Sequence, residues 1–164
     1  MKPSLTLCLA ACAAFLVIAA SSSQAETTRY TASADGQEVT DSQTNLIWRR
    51  CAEGMNWDGT TCAGAASGFT HEAALQRAAA QAVSAGIAWR LPNIKELSSI
   101  ADKSRSNPAI SPTAFPATPS HWFWSASPVV GYSGVAWVVF FGDGHVGGGS
   151  RYDAFYMRLV RAGQ

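Results

Sequence analysis

Trp89-Arg90-Leu91-Pro92-Asn93-Ile94-Lys95-Glu96-Leu97 ends an extended segment, stops it and starts a helix within nine residues. Pro92 has no N–H and drives Leu91 toward extended geometry, so Trp89–Leu91 cannot run on as a helix. Trp89 and Leu91 flank Arg90 at period two, which suits a half-buried strand. Asn93 can then cap the next helix, and Glu96 three residues on can close a capping box. These residues are structural punctuation and carry no reactive constellation.

Working outward, a first helix is predicted from Thr70 as cap to Gly86 as stop, with Leu75, Ala78, Ala79, Ala82 and Val83 recurring on one face. A second helix over about Ile94–Asp102 buries Ile94, Leu97 and Ala101. Upstream, Val39–Thr40 and Leu46–Trp48 read as two strands joined by a polar turn. Downstream, Pro108, Pro112, Pro116 and Pro119 make Lys103–Ser120 a long surface loop pinned by Ile110 and Phe115. His121–Ser125 reads as a short aromatic strand, and Val135–Phe141, apolar on both faces, as a central strand. Gly142–Gly144 makes a turn, Gly147–Gly149 a flexible hairpin connection, and Tyr152–Val160 a returning strand. Trp48, Trp89, Trp124 and Trp137 are expected in the core with each indole N–H satisfied. Trp57 and Trp122 are the candidates to face outward and stack on sugars.

The N-terminus carries Lys2, an apolar run from Leu5 to Ala20 and a small-x-small site at Ser23–Ala25, the pattern of an export signal. Residues 1–25 are therefore expected to be removed, 26–34 to form a flexible leader, and 35–164 to form one domain. Leu9-Ala10-Ala11-Cys12 resembles a lipoprotein box, so anchoring through Cys12 is the competing reading. No later segment is long and apolar enough to span a membrane.

Cleavage would leave Cys51 and Cys62, and two cysteines in an exported chain usually pair. A loop of that size contributes about 3 kcal/mol in the chain-entropy model. A redox pair would stand closer together, and no histidine pair nearby completes a zinc site. Of the 12 basic residues Lys2 falls in the signal, leaving 11 against 11 acidic ones. That balance argues against nucleic acid as a partner.

Catalytic motifs are absent in usable form. His71 begins a helix without a second histidine at zinc-protease spacing and reads as a first-turn surface residue. Gly131-Tyr132-Ser133-Gly134 falls short of a nucleophile elbow, and Gly147–Gly149 lacks the lysine of a phosphate loop. Asp41, Asp58, Asp102, Asp143 and Asp153 could hold calcium only if folding gathered several of them. No cofactor or metal is expected.

Seven stretches, in order, carry a family pattern: Asn45–Trp48, Cys51 with Gly59–Gly64, Glu72–Leu75, Trp89–Leu97, Phe123–Ser125, Ala136–Val138 and Arg158–Arg161. They resemble the Lcl C-terminal domain family, exported bacterial domains named for a collagen-like adhesin. The resemblance implies an α+β, C-type lectin-like fold with two helices packed on twisted antiparallel strands and long loops. It also implies a distant likeness to the scaffold of formylglycine-generating enzymes. In the named adhesin the domain is implicated in binding sulfated glycosaminoglycans and in trimeric self-association. This chain has no collagen-like repeat, no basic excess and no Glu-Pro-Asn sugar motif.

The expected function is a non-catalytic binding or adhesion module of the bacterial envelope, periplasmic or secreted, whose partner is a glycan or an envelope protein. Tyr132, His145, Arg151 and Tyr152, around the glycine-rich hairpin, are its candidate ligand contacts. The alternatives are an enzyme using Cys51 and Cys62 as thiols, or a ligand-free subunit of an envelope complex. Intact-mass measurement of exported protein should give a chain starting at Glu26; an acylated chain starting at Cys12 would overturn the soluble reading.

Overall fold

Side-chain alternation sets the first sheet. In β2 (Glu38–Asp41) Val39 and Asp41 are buried, and in β3 (Leu46–Arg49) Leu46 and Trp48 are buried. The two strands pair antiparallel with Val39 opposite Trp48. β1 (Tyr30–Ala32) and β9 (Val160–Ala162) flank them in the order β1-β2-β3-β9. The fold is seen in a computed structural model that describes residues 29–163. The flexible leader expected over 26–34 is therefore corrected from Arg29 onward, where the chain joins the sheet. The export signal, Cys12 and residues 26–28 lie outside the described residues.

A buried ion pair explains that correction. Arg29 grips Asp41 with both ends of its fork, Nε to Oδ1 at 2.9 Å and Nη2 to Oδ2 at 2.8 Å. Its Nη2 also donates to the Ser99 carbonyl. Burial pushes the Asp41 carboxyl up, but the Arg29 fork, the Gln43 amide and the Thr44 hydroxyl together outweigh burial and hold it below its ordinary value.

β6 (Trp122–Pro128), β7 (Val135–Phe140) and β8 (His145–Ser150) form a second antiparallel sheet with β7 central. Both faces are covered. Ala136 and Val138 join Trp124, Trp89, Leu91, Met157 and Leu159 on one side. Val139 joins Phe123, Phe141, Leu97, Ile110 and Phe115 on the other. Gly147–Gly149, expected as a flexible connection, instead forms the middle of β8. The rings above it require bare backbone: a Cβ at Gly149 would lie 2.5 Å from Phe155 Cε2, and one at Gly147 3.3 Å from Trp122 Cη2.

The helices are set by their caps. α1 (His71–Ala85) starts at Thr70, whose side chain accepts from the Ala73 N–H, and stops at Gly86 in the left-handed region. Its buried stripe is His71, Ala74 and Ala78, whereas Leu75 and Val83 are exposed. The small residues let the helix lie close to Trp124 and Trp89, and this turns the larger apolar side chains outward. α2 (Ile94–Ser99) carries the full Asn93–Glu96 capping box and ends earlier than Asp102. Glu96 also binds Arg90 through both oxygens.

Further differences follow from packing. Arg90 makes an isolated bridge with Val160, so Trp89–Leu91 is extended without being a full strand. Tyr152–Leu159 is bridged at Phe155 and Tyr156 and becomes a strand only at Val160. The proline-rich loop is core at its centre, with Ala109, Ile110 and Phe115 fully buried. Trp48, Trp89 and Trp124 are buried, while Trp137 is half-buried and belongs to neither apolar cluster. Only one of the three buried indoles has its N–H met: Trp124 donates to the Phe69 carbonyl, whereas Trp48 and Trp89 find no partner among the described residues. Arg49 and Arg161 instead lie over the Trp89 ring at 4.7 and 5.4 Å.

Cys51 and Cys62 form a disulfide with Cα atoms 5.5 Å apart. It closes a loop containing β4 (Asn56–Trp57) and β5 (Cys62–Ala63). Trp57 is half-buried and stacked by the Arg50 guanidinium at 3.8 Å. Replacing both cysteines by serine should cost about 3 kcal/mol in denaturant unfolding; an unchanged midpoint would show that the loop needs no tether. Asp41→Ala should cost about 3 kcal/mol, the low end for a buried pair because Arg29 keeps some solvent access. The folded carboxyl titrates below its ordinary 3.8, so this advantage is present above that pH and is lost as pH falls through the lower folded value. A difference from wild type that survives strong acid would contradict the assignment.

Candidate functional site

Two turns at one end of the second sheet build the candidate cleft. Val135 pairs with Ser150, so the β6–β7 loop and the turn after β8 emerge side by side. The Arg151 N–H donates to the Gly134 carbonyl, and the Arg151 carbonyl accepts from the His71 N–H at 3.1 Å. One residue thereby ties the loop to the first turn of α1. The resulting cleft, about 400 Å3, is lined by Thr70, His71, Glu72, Leu75, Ser133, Gly134, Arg151 and Tyr152.

The chemistry of the cleft is mixed. Tyr152 is 85 % exposed and puts an aromatic face in the lining, while Tyr132, one residue before the lining Ser133, is 66 % exposed. Leu75 adds an apolar face to the lining, and Val130 in the β6–β7 loop is exposed. Arg151 has no carboxylate or side-chain hydrogen-bond partner among the described residues, and its Nε is buried without one. Glu72 supplies the opposite charge, with one oxygen accepting from Gln76.

His71, expected on the surface, is buried at the floor. Its Nε2 lies 3.0 Å from the Ser125 carbonyl, and Trp124 meets the imidazole edge-on with centroids 5.2 Å apart. Burial lowers its pKa most; the Ser125 bond opposes this, and the Arg151 charge adds to the lowering. Sequence reasoning missed this residue by following the largest apolar residues. The spacing of His71, Ala74 and Ala78, three and four residues apart, was the available signal.

Of the four ligand contacts expected from sequence, Arg151 and Tyr152 line the cleft and Tyr132 borders it. His145 does not join them. It starts β8 at the opposite end, beside Lys103, Asp143 and Gly144 in a separate depression. Trp122 is half-buried among Phe140, Phe155 and His145. A further polar cleft of about 330 Å3 beside the disulfide is crossed by the Glu53–Arg77 ion pair.

Four of the five scattered aspartates are spent locally. Asp41 holds Arg29, Asp58 accepts from the Thr60 and Thr61 amides, Asp102 holds Ser104 and Arg105, and Asp143 accepts from the His145 N–H. Among the described residues no three His, Cys, Asp or Glu side chains gather where a metal ion could be held. No helix among them is long and apolar enough to cross a membrane.

No curated protein and no solved structure matches this chain. Its second sheet, both helices, the capping box and the disulfide fall within the span of one family model, which matches residues 37–161, and the chain belongs to the Lcl C-terminal domain family.

Proposed function

We propose that this protein is a non-catalytic recognition module of the bacterial envelope, exported to the periplasm or beyond, which binds glycans at the cleft between α1 and the ends of β6–β8. The observation that carries the reading is an exposed tyrosine face beside an unpaired arginine in one cleft, with a second exposed tyrosine in the adjoining loop. Aromatic faces take the apolar side of a sugar ring, and guanidinium N–H groups take its oxygens. Turns carry the contacts while the sheet beneath, buried on both faces, stays fixed. The union of Cys51 with Cys62 favours recognition over cysteine chemistry, since neither sulfur is a free thiolate.

The reading includes a C-type lectin-like arrangement. The return of the last strand to pair with β3, the two helices and the long loop between α2 and β6 support it. A glycan array probed with the exported chain tests the function, and retention of no glycan at any salt would overturn it. Arg151→Ala should weaken retention about tenfold, the value of a charged hydrogen bond, and leave the melting temperature unchanged because the side chain has no internal partner. Equal retention by the variant would remove Arg151 from the site.

A further inference from the structure

The geometry points to a more specific chemistry at the floor of this cleft: His71 Nδ1 and Arg151 together read one hydroxyl group, so the group held at this position is a saccharide hydroxyl and not a sulfate or phosphate. The inference rests on the recognition reading above and narrows it.

The Ser125 carbonyl can only accept, so the His71 nitrogen facing it, Nε2, carries the hydrogen. In the neutral ring Nδ1 then keeps its lone pair. That nitrogen has no partner among the described residues, although the side chain is only 4 % exposed and lines the cleft. The packed Trp124 ring and the Ser125 bond fix the imidazole plane, so the lone pair cannot turn elsewhere. Arg151 offers donors without a partner to the same space. His71 and Arg151 both line this cavity, and each carries a nitrogen with no partner among the described residues.

A hydroxyl satisfies both, donating to Nδ1 and accepting from the guanidinium. The oxygens of a sulfate or phosphate only accept, and would leave the lone pair facing an anion. Burial keeps the imidazole neutral at pH 7, and the Arg151 charge acts in the same sense. The charged and titratable groups around it are Arg151 and Tyr152 from the turn after β8 and Glu72 from its own helix. β6 presents the Ser125 carbonyl and the Trp124 ring.

The test uses the exported chain on an array of maltopentaose, cellopentaose, mannopentaose and heparin, from about pH 8 to about pH 5. His71→Gln can keep a donor for Ser125 while removing the Nδ1 acceptor. Expected are retention of a neutral oligosaccharide and a loss of about tenfold in His71→Gln. Affinity should be flat through the ordinary imidazole value of 6.5 and fall at lower pH as His71 protonates. Should the variant melt early, nitrogen-15 histidine spectra of the wild-type chain decide, because the retained oligosaccharide must then shift the His71 Nδ1 resonance. Neutral binding that is equal in a folded His71→Gln, a motionless Nδ1 signal, or heparin binding that strengthens with acid overturns this inference alone. If none of these four is retained, this inference falls, and the full glycan array alone decides the recognition reading.

Discussion

The Arg158 guanidinium is completely buried, and three parts of the chain converge on it. Nη1 donates to the Arg49 carbonyl at 3.0 Å and to the Arg50 carbonyl, and Nη2 to the Thr118 hydroxyl at 2.7 Å. The charge lies 4.8 Å from the centre of the Phe115 ring. The end of β3, the approach to the disulfide and the proline-rich loop are thereby joined to the segment entering β9. Burial pulls the pKa down to about 9, which still leaves the group charged at neutral pH. Such a charge tolerates a low-dielectric site only where strong acceptors surround it. The geometry of these strand ends is therefore dictated as much by the cation as by apolar packing.

A second constraint acts on the three-stranded sheet. Trp122, Trp124 and Phe155 crowd β8, most tightly at Gly149, where a Cβ would overlap the Phe155 ring. This fixes the plane from which the Ser150–Tyr152 turn and the Val129–Gly134 loop emerge. The cleft inherits its position from that plane, and α1 closes it because alanines let the helix approach. The turns around the cleft therefore rise from strands held by close packing.

The parts of this architecture governed by local chemistry were legible in the sequence. Thr70, Gly86 and the Asn93–Glu96 box act on groups within a few residues, and the alternation in β2 and β3 is likewise local. The cysteine pair followed from the expected export and from loop size. What escaped reading depends on residues distant in the chain. Gly147–Gly149 looked flexible because the rings that demand it come from β6 and from Phe155. Tyr152–Leu159 alternates like a strand, yet Met157, Arg158 and Leu159 are all buried between different neighbours. Arg29 looked like part of a leader because its partner, Asp41, lies across a hairpin. At the cleft, Arg151 and Tyr152 were found from their loop position, whereas His145 was grouped with them by proximity in sequence. Six strand residues put it roughly 20 Å away.

The Arg29–Asp41 clasp also separates two boundaries that are easily conflated. The family pattern starts at residue 37, but β1 and its arginine lie upstream of it. A fragment cut to the pattern would bury a carboxylate without its counter-ion and bare the flank of β2, inviting strand pairing between molecules. The stretch that the family pattern covers is thus shorter than the stretch that completes the first sheet.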